Sequence, residues 1–319
     1  MTTSRFAKLR QNASGLAIEA FFRGLSAGAK LHPKAREVES RVEILRNIPY
    51  RASDDSAHLL DVYRPKNVQG PLPVVLHVHG GGFRILSKDT HWLMGLAFAD
   101  RGYVVFNINY RLAPAHTFPA ALQDACDAYR WVVENAHQYG GDVSRLFLTG
   151  ESAGANLITG LTIASCFERD EGFARAVHET GVRPIATMPF CGLLEASNLD
   201  RFRGRVPQIV QDRMDQIEIA YLGRGPRERG TLADPLVVLE GNDRPVHELP
   251  PFFAPCGTGD PVLEDTVRLS RALEKRGVPH VSLHYEREPH AFHAFVFRRN
   301  ARRCWRDAFA FMDDVLNTR

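Results

Sequence analysis

The chain lacks most features that would place it outside the globular enzymes. Its 319 residues contain no run of five like charges, and a net charge of +3 implies neither nucleic acid nor an anionic membrane as partner. No stretch approaches the roughly 18 consecutive apolar residues of a membrane span, so stable insertion is not expected. Cysteine is scarce: Cys126, Cys166, Cys191, Cys256 and Cys304 are odd in number, widely spaced and without a C-x-x-C pair. That argues against a disulfide framework or a zinc site and suits a reducing compartment. The first residues carry no apolar core of a secretory signal, so a cytoplasmic location is expected. Asn12-Ala13-Ser14 then reads as a chance match to a glycosylation sequon. Internal repeats and low-complexity tracts are missing as well.

What remains is ordinary globular composition, 44% hydrophobic and 24% charged. A chain of this length buries roughly three quarters of its unfolded surface and needs no staples. Short apolar runs at 74–78, 103–108, 146–149, 185–190 and 252–256 read as buried strands. Val281, Leu283 and Tyr285 alternate with a period of two and add another. Helical spacing links Leu122, Ala125, Cys126, Tyr129 and Val133, and again Trp305, Ala308, Phe309, Met312 and Leu316. Asp265 is expected to cap a helix that runs to about Arg276 and stops at Gly277 and Pro279. Strands alternating with helices predict an α/β fold, a mostly parallel sheet covered on both faces. Residues 41–48 and 58–63 read as antiparallel strands that open it.

Two segments break that rhythm. Residues 1 to about 40 place Phe6, Leu9, Ala13, Leu16, Ala17, Ala20, Phe21 and Leu25 at helical spacing, with Arg and Lys between them. Residues 191 to about 247 are polar and Arg-rich, with a helix expected around 209–221. Each could be a plain surface helix, a membrane-surface helix or a lid over a pocket. The basic face is too sparse to favour the membrane reading, and the motifs below favour the lid.

Gly150-Glu151-Ser152-Ala153-Gly154 matches G-x-S-x-G. A strand runs into it and a helix with Leu157, Ile158 and Leu161 runs out. A serine hydroxyl is a poor nucleophile unless presented openly beside a base, and a tight strand–turn–helix does this. The flanking glycines let the backbone take the strained turn, and the helix N-terminus favours developing negative charge. A second run, His79-Gly80-Gly81-Gly82-Phe83, follows the strand at 74–78. Acyl transfer needs donors aimed at the oxygen that becomes negative, and three glycines let backbone N–H groups come close. Either run alone could be an ordinary turn or loop; together, each after a strand, they are far more specific.

These two motifs resemble the hormone-sensitive-lipase-like (HGGG) branch of the α/β-hydrolase superfamily. A third segment supports it: Asn109-Tyr110-Arg111-Leu112-Ala113-Pro114-Ala115-His116, then Phe118-Pro119-Ala120-Ala121, is similar to that family's D-Y-R-L-A-P-E-H…F-P-A-A. The likeness runs from about residue 55 to the C-terminus, with Leu249-Pro250-Pro251 leading into the next strand. It implies one α/β-hydrolase domain over residues 1–319 with an eight-stranded sheet. A helical cap from 1–45 and 191–247 would be inserted around the core. It also implies a mechanism with no metal and no cofactor. Four positions depart from the pattern: Asn109 and Ala115 replace acidic residues, and Ala155 and Ala291 replace glycines. None of them is a reacting group.

The order Ser…Asp…His directs the search downstream. Asp260, in Gly259-Asp260-Pro261, stands where the family has its D-P-L; Glu264 and Asp265 are rivals that suit the start of the next helix. His290 aligns with the family's H-G-F and lies 30 positions beyond Asp260, with His293 as the competing histidine. The resemblance makes Gly81, Gly82 and the N–H of Ala153 the oxyanion hole. His79 is expected to fix its loop, Glu151 to support the elbow, and Asp124 and Tyr110–Arg111 to be structural. A metal pair at His77 and His79 lacks further ligands. The expected activity is a serine carboxylesterase for short- to medium-chain acyl esters, working through Ser152, His290 and Asp260 and an acyl-enzyme. An amidase or lactonase would use the same triad, and a small-molecule receptor on this fold would have lost it. The partner expected is a small-molecule ester, with no nucleic acid; a homodimer is the candidate assembly.

Overall fold

The computed structural model describes residues 20, 23, 24, 26–225 and 231–318. The helical face expected over residues 6–25 lies almost wholly outside them. Among the described residues, no helix is long and apolar enough to cross a membrane.

Helix α1 (Pro33–Arg41) leads into two antiparallel strands, β1 (Val42–Pro49) and β2 (Leu59–Pro65). The chain then alternates: β3 (Leu72–Val78), α2 (Trp92–Ala99), β4 (Val104–Ile108), α3 (Ala120–Asn135), β5 (Gly141–Glu151) and α4 (Ala153–Cys166). It continues through α5 (Gly172–His178), β6 (Ala186–Phe190), α6 (Gln208–Leu222), α7 (Pro235–Glu240) and β7 (Phe252–Gly257). Helix α8 (Leu263–Lys275), β8 (His280–Tyr285) and α9 (Arg299–Asn317) complete it. The sheet has eight strands in the order β1-β2-β4-β3-β5-β6-β7-β8, parallel from β4 to β8.

The apolar runs are continuous because helices cover both faces of the sheet. Val74, Leu76 and Val78 of β3 point to the layer of α3, α4, α5 and α8. Val75 points to the layer of α2 and α9. Every residue of α4 is buried, which is why it shows no amphipathic stripe in sequence. At the edge, β8 is wetter: Val281 is exposed and Tyr285 buried.

Asp265 does not cap α8. It lies in the first turn, fully buried, and accepts hydrogen bonds from the amides of Leu194 (2.8 Å) and Glu195 (3.3 Å). Arg201 pairs with it at 2.6 Å. A buried carboxylate is held by whatever satisfies its charge, and here that is the loop after β6, not its own helix N-terminus. Gly277 does end the helix region, in the left-handed conformation at φ 68°.

Candidate active site

Strands β3 and β5 are neighbours in register, Val78 beside Gly150, so the loops that leave their C-terminal ends meet. Ser152 sits at the turn between β5 and α4 with φ 55° and ψ −113°, a conformation that costs an L-residue about 1–3 kcal/mol. Its carbonyl accepts the amide of Leu193 and its amide donates to the Phe190 carbonyl, both across to the β6 side. The turn is held rather than frayed. Glycine is required around it: a Cβ on Gly154 would overlap the Val78 carbonyl oxygen, and one on Gly150 would come within 2.7 Å of Gly154 backbone. Gly154→Ala is therefore expected to lower stability by about 1–3 kcal/mol or more, as overpacking against rigid backbone does. A shift of the urea midpoint checks this; an unchanged midpoint would show that β3 and α4 can separate.

His290 Nε2 lies 2.9 Å from Ser152 Oγ, and its Nδ1 lies 2.9 and 3.0 Å from the two Asp260 oxygens. Asp260 follows β7 and is buried; Oδ1 also accepts from the Val262 amide at 2.9 Å. Burial opposes its charge, but His290, the Val262 amide and the Cys256 thiol stabilise the carboxylate by more, and its pKa falls below 3.8. Burial likewise pushes His290 down, yet the Asp260 carboxylate, and Glu151 further off, raise it above 6.5. The imidazole is 37% exposed, open toward a cavity that Ser152 also lines. Ala291, directly after it, takes the left-handed conformation at φ 56°.

The glycine loop is built the same way. Gly81 and Gly82 have φ 116° and 59°, and a Cβ on Gly81 would overlap the Ile85 carbonyl. Among the described residues nothing accepts a hydrogen bond from the amides of Gly81, Gly82 or Ala153. Glu151 is buried and accepts the Gly80 amide on Oε1 at 2.6 Å; His91 Nε2 lies 2.7 Å from the same oxygen. His79 Nδ1 lies 2.7 Å from the Gly80 carbonyl, and its ring stacks on Tyr110 at 4.3 Å. Burial drives His79 to about 3 and His77 to about 4, so both stay neutral. His77 Nδ1 is taken up by Thr149 Oγ1 at 2.9 Å. Asp124 is buried and receives the Arg111 amide and guanidinium, a structural clamp.

Ser152, Asp260 and His290 thus come together, and Glu264 and Asp265 do not: Glu264 pairs with Arg205, and Asp265 with Arg201 and the loop after β6. His293 is buried, driven by burial to about 4, and also lines the cavity. Sequence reasoning missed His91, which has no motif and reaches Glu151 only through the fold. It also missed Cys191, whose sulfur, with a ligand atom each of Asp260 and His290, forms a group within 4.8 Å. The cavity is about 1330 Å³ and mostly apolar. Ser26, Ala29 and Val38 line one part of it, and Ile209, Met214 and Ile217 of α6 another.

Comparison with known proteins shows the family of the chain. The model of a family described by its alpha/beta hydrolase fold matches residues 75–294. The chain is 30% identical over 290 residues to the versiconal hemiacetal acetate esterase of Dothistroma septosporum, covering 86% of this chain and 80% of that one. It is 31% identical over 282 residues to the carboxylesterase NlhH of Mycobacterium tuberculosis, again covering 86% and 80%. Esterase B of Lactobacillus rhamnosis shares the fold, with a TM-score of 0.77 at 19% identity over 98% of both chains. By family match and by relatives alike, this chain belongs to the α/β-hydrolases of the hormone-sensitive-lipase-like branch and is a carboxylic ester hydrolase.

Proposed function

We propose that the enzyme cleaves short- to medium-chain acyl esters in two steps at Ser152. His290, oriented by Asp260, takes the Ser152 proton as Oγ attacks the ester carbonyl. The amides of Gly81, Gly82 and Ala153 hold the oxyanion. His290 returns the proton to the departing alcohol, and water, activated by the same imidazole, releases the acid. The observation that carries the reading is the unbroken chain from Asp260 through His290 to Ser152, each link at 2.9–3.0 Å. A phosphonate ester should inactivate the enzyme and add its mass to one peptide, the one containing Ser152. Labelling of another serine would overturn the assignment.

The described part of the N-terminal segment, from Ser26 on, and the insertion after β6 act as the cap. What supports this is that α6 and residues from Ser26 to Val38 wall the cavity over the serine. Ring stacking of Phe83 on Tyr221, 3.6 Å between centroids, ties α6 to the glycine loop. An apolar, walled cavity favours longer chains until its end is met. Each buried methylene gains roughly 0.8 kcal/mol, so specificity should rise from acetyl and then fall sharply beyond about octanoyl. A p-nitrophenyl ester series reads this directly; a profile still rising at palmitoyl would remove the proposed limit.

A further inference from the structure

Arg84 stands two positions after Gly82, the last of the three glycines in the loop after β3, and lines the same cavity as Ser152 and His290. Its Nη1 donates to Gln216 Oε1 of α6 at 3.2 Å, and its Nε is buried with no acceptor. Among the described residues no carboxylate pairs with it. Other arginines held inside this fold are treated differently: Arg111 lies on Asp124, Arg201 on Asp265 and Arg268 on Glu240 and Glu195. Arg213 of α6 reaches the same Gln216 oxygen at 3.0 Å and lines the cavity too. Burial lowers the Arg213 pKa, and the neighbouring charge of Arg84 lowers it further.

Among the described residues the rest of the lining does not offset the charge of Arg84. Among the described residues it holds five cationic side chains, Lys34, Arg84, Arg101, Arg213 and Arg302, against two carboxylates. Both carboxylates are already committed, Asp100 to Arg41 and Glu151 to His91 and the Gly80 amide. A half-buried guanidinium in apolar walls is costly without an anion, and its planar fork fits a carboxylate.

We propose that Arg84 determines specificity by binding a carboxylate on the substrate. The preferred esters then carry a free carboxylate besides the scissile bond, the type case being a monoester of a dicarboxylic acid. Arg84 grips the anion while Ser152 attacks the ester. The inference rests on the esterase reading above.

The test uses the full chain and two matched pairs. Mono-p-nitrophenyl adipate and p-nitrophenyl hexanoate differ only by a carboxylate or a methyl at the end of the acyl chain. In 4-acetoxybenzoate and 4-acetoxybenzamide the difference lies on the alcohol side. The expected result is a kcat/KM at least tenfold higher for the anionic member of one pair, carried mainly in KM. In Arg84→Gln that ratio should fall by roughly 10- to 100-fold, the range of a charge-assisted hydrogen bond, while Arg84→Lys keeps part of it. If neither pair shows a preference, or if Arg84→Gln leaves the ratio unchanged, the proposal is overturned. Should Arg84→Gln fail to fold, the wild-type ratio at low and high salt decides, because a preference borne by a partly exposed charge shrinks on screening and a salt-independent one excludes it. Hydrolysis of p-nitrophenyl hexanoate by the wild type is read separately: its absence would reject the esterase reading, whereas its presence without an anionic preference rejects only the role of Arg84.

Discussion

Ser152→Ala is expected to lower kcat on p-nitrophenyl butyrate by roughly 10⁶-fold, leaving only what binding and the amide donors supply. The hydroxyl is the atom that forms the acyl-enzyme in the proposed mechanism, and among the described residues no other nucleophile is hydrogen-bonded to His290. His290→Ala should cost about as much, and the double variant little more, because residues that act as one unit do not contribute additively. His293 provides the internal control. It is buried three residues along and lines the same cavity, yet Asp260 holds the His290 ring and not that of His293. His293→Ala should therefore stay within about tenfold of the wild type, well short of the loss of a general base. Initial rates with circular dichroism as a folding control check all four proteins. If His293→Ala is the silent variant and His290→Ala the active one, the base has been misassigned.

Asp260→Asn is the second large effect, a loss of about 10⁴-fold in kcat with the geometry kept, since an amide favours the wrong tautomer of the imidazole. It also carries a pH signature. His290 acts as a base only when neutral, and its pKa is raised above 6.5 by Asp260 and Glu151 against the opposing effect of burial. Wild-type kcat/KM should thus fall as pH drops through a value above 6.5 and be fully developed only on its alkaline side. Removing the Asp260 charge removes the main reason for the rise, so the acid limb of the residual activity should move to lower pH. A limb that stays in place in Asp260→Asn would mean that another group sets it.

The elbow and the glycine loop were legible because their chemistry is local. Gly150 is crowded by the Gly154 backbone and Gly81 by a carbonyl in its own loop, while Gly154 is demanded by Val78 of the neighbouring strand. Asp260 and His290 have no such local mark. Chain order and family likeness found them, since the contact that matters spans 138 positions from Ser152 to His290. Where the reading went wrong, a distant partner had decided the outcome: Asp265 looked like a helix cap and instead neutralises Arg201, 64 positions away. The start of β5 was hidden for a related reason. Three of the four residues 142–145 are polar and none is buried, yet Gly141 and Asp142 pair with Leu72 and Pro73 and so join the sheet. Arg84 and Gln216, 132 positions apart, could not have been coupled from sequence at all.

The order of strands also fixes when the polypeptide becomes chemically competent during its own synthesis. On the proposed assignment, the hydroxyl and the amide cradle come from β3 and β5, adjacent strands that can pair once the first half of the chain has emerged. Asp260 and His290 follow β7 and β8, at the far edge of the sheet and late in the chain. A ribosome-bound chain that ends before residue 290 has a presented serine and nothing to deprotonate it, and such a hydroxyl is inert. Nascent and prematurely terminated products should thus neither consume esters nor become trapped as acylated fragments. The finished molecule switches on only when its last strand and its following loop close over the first half.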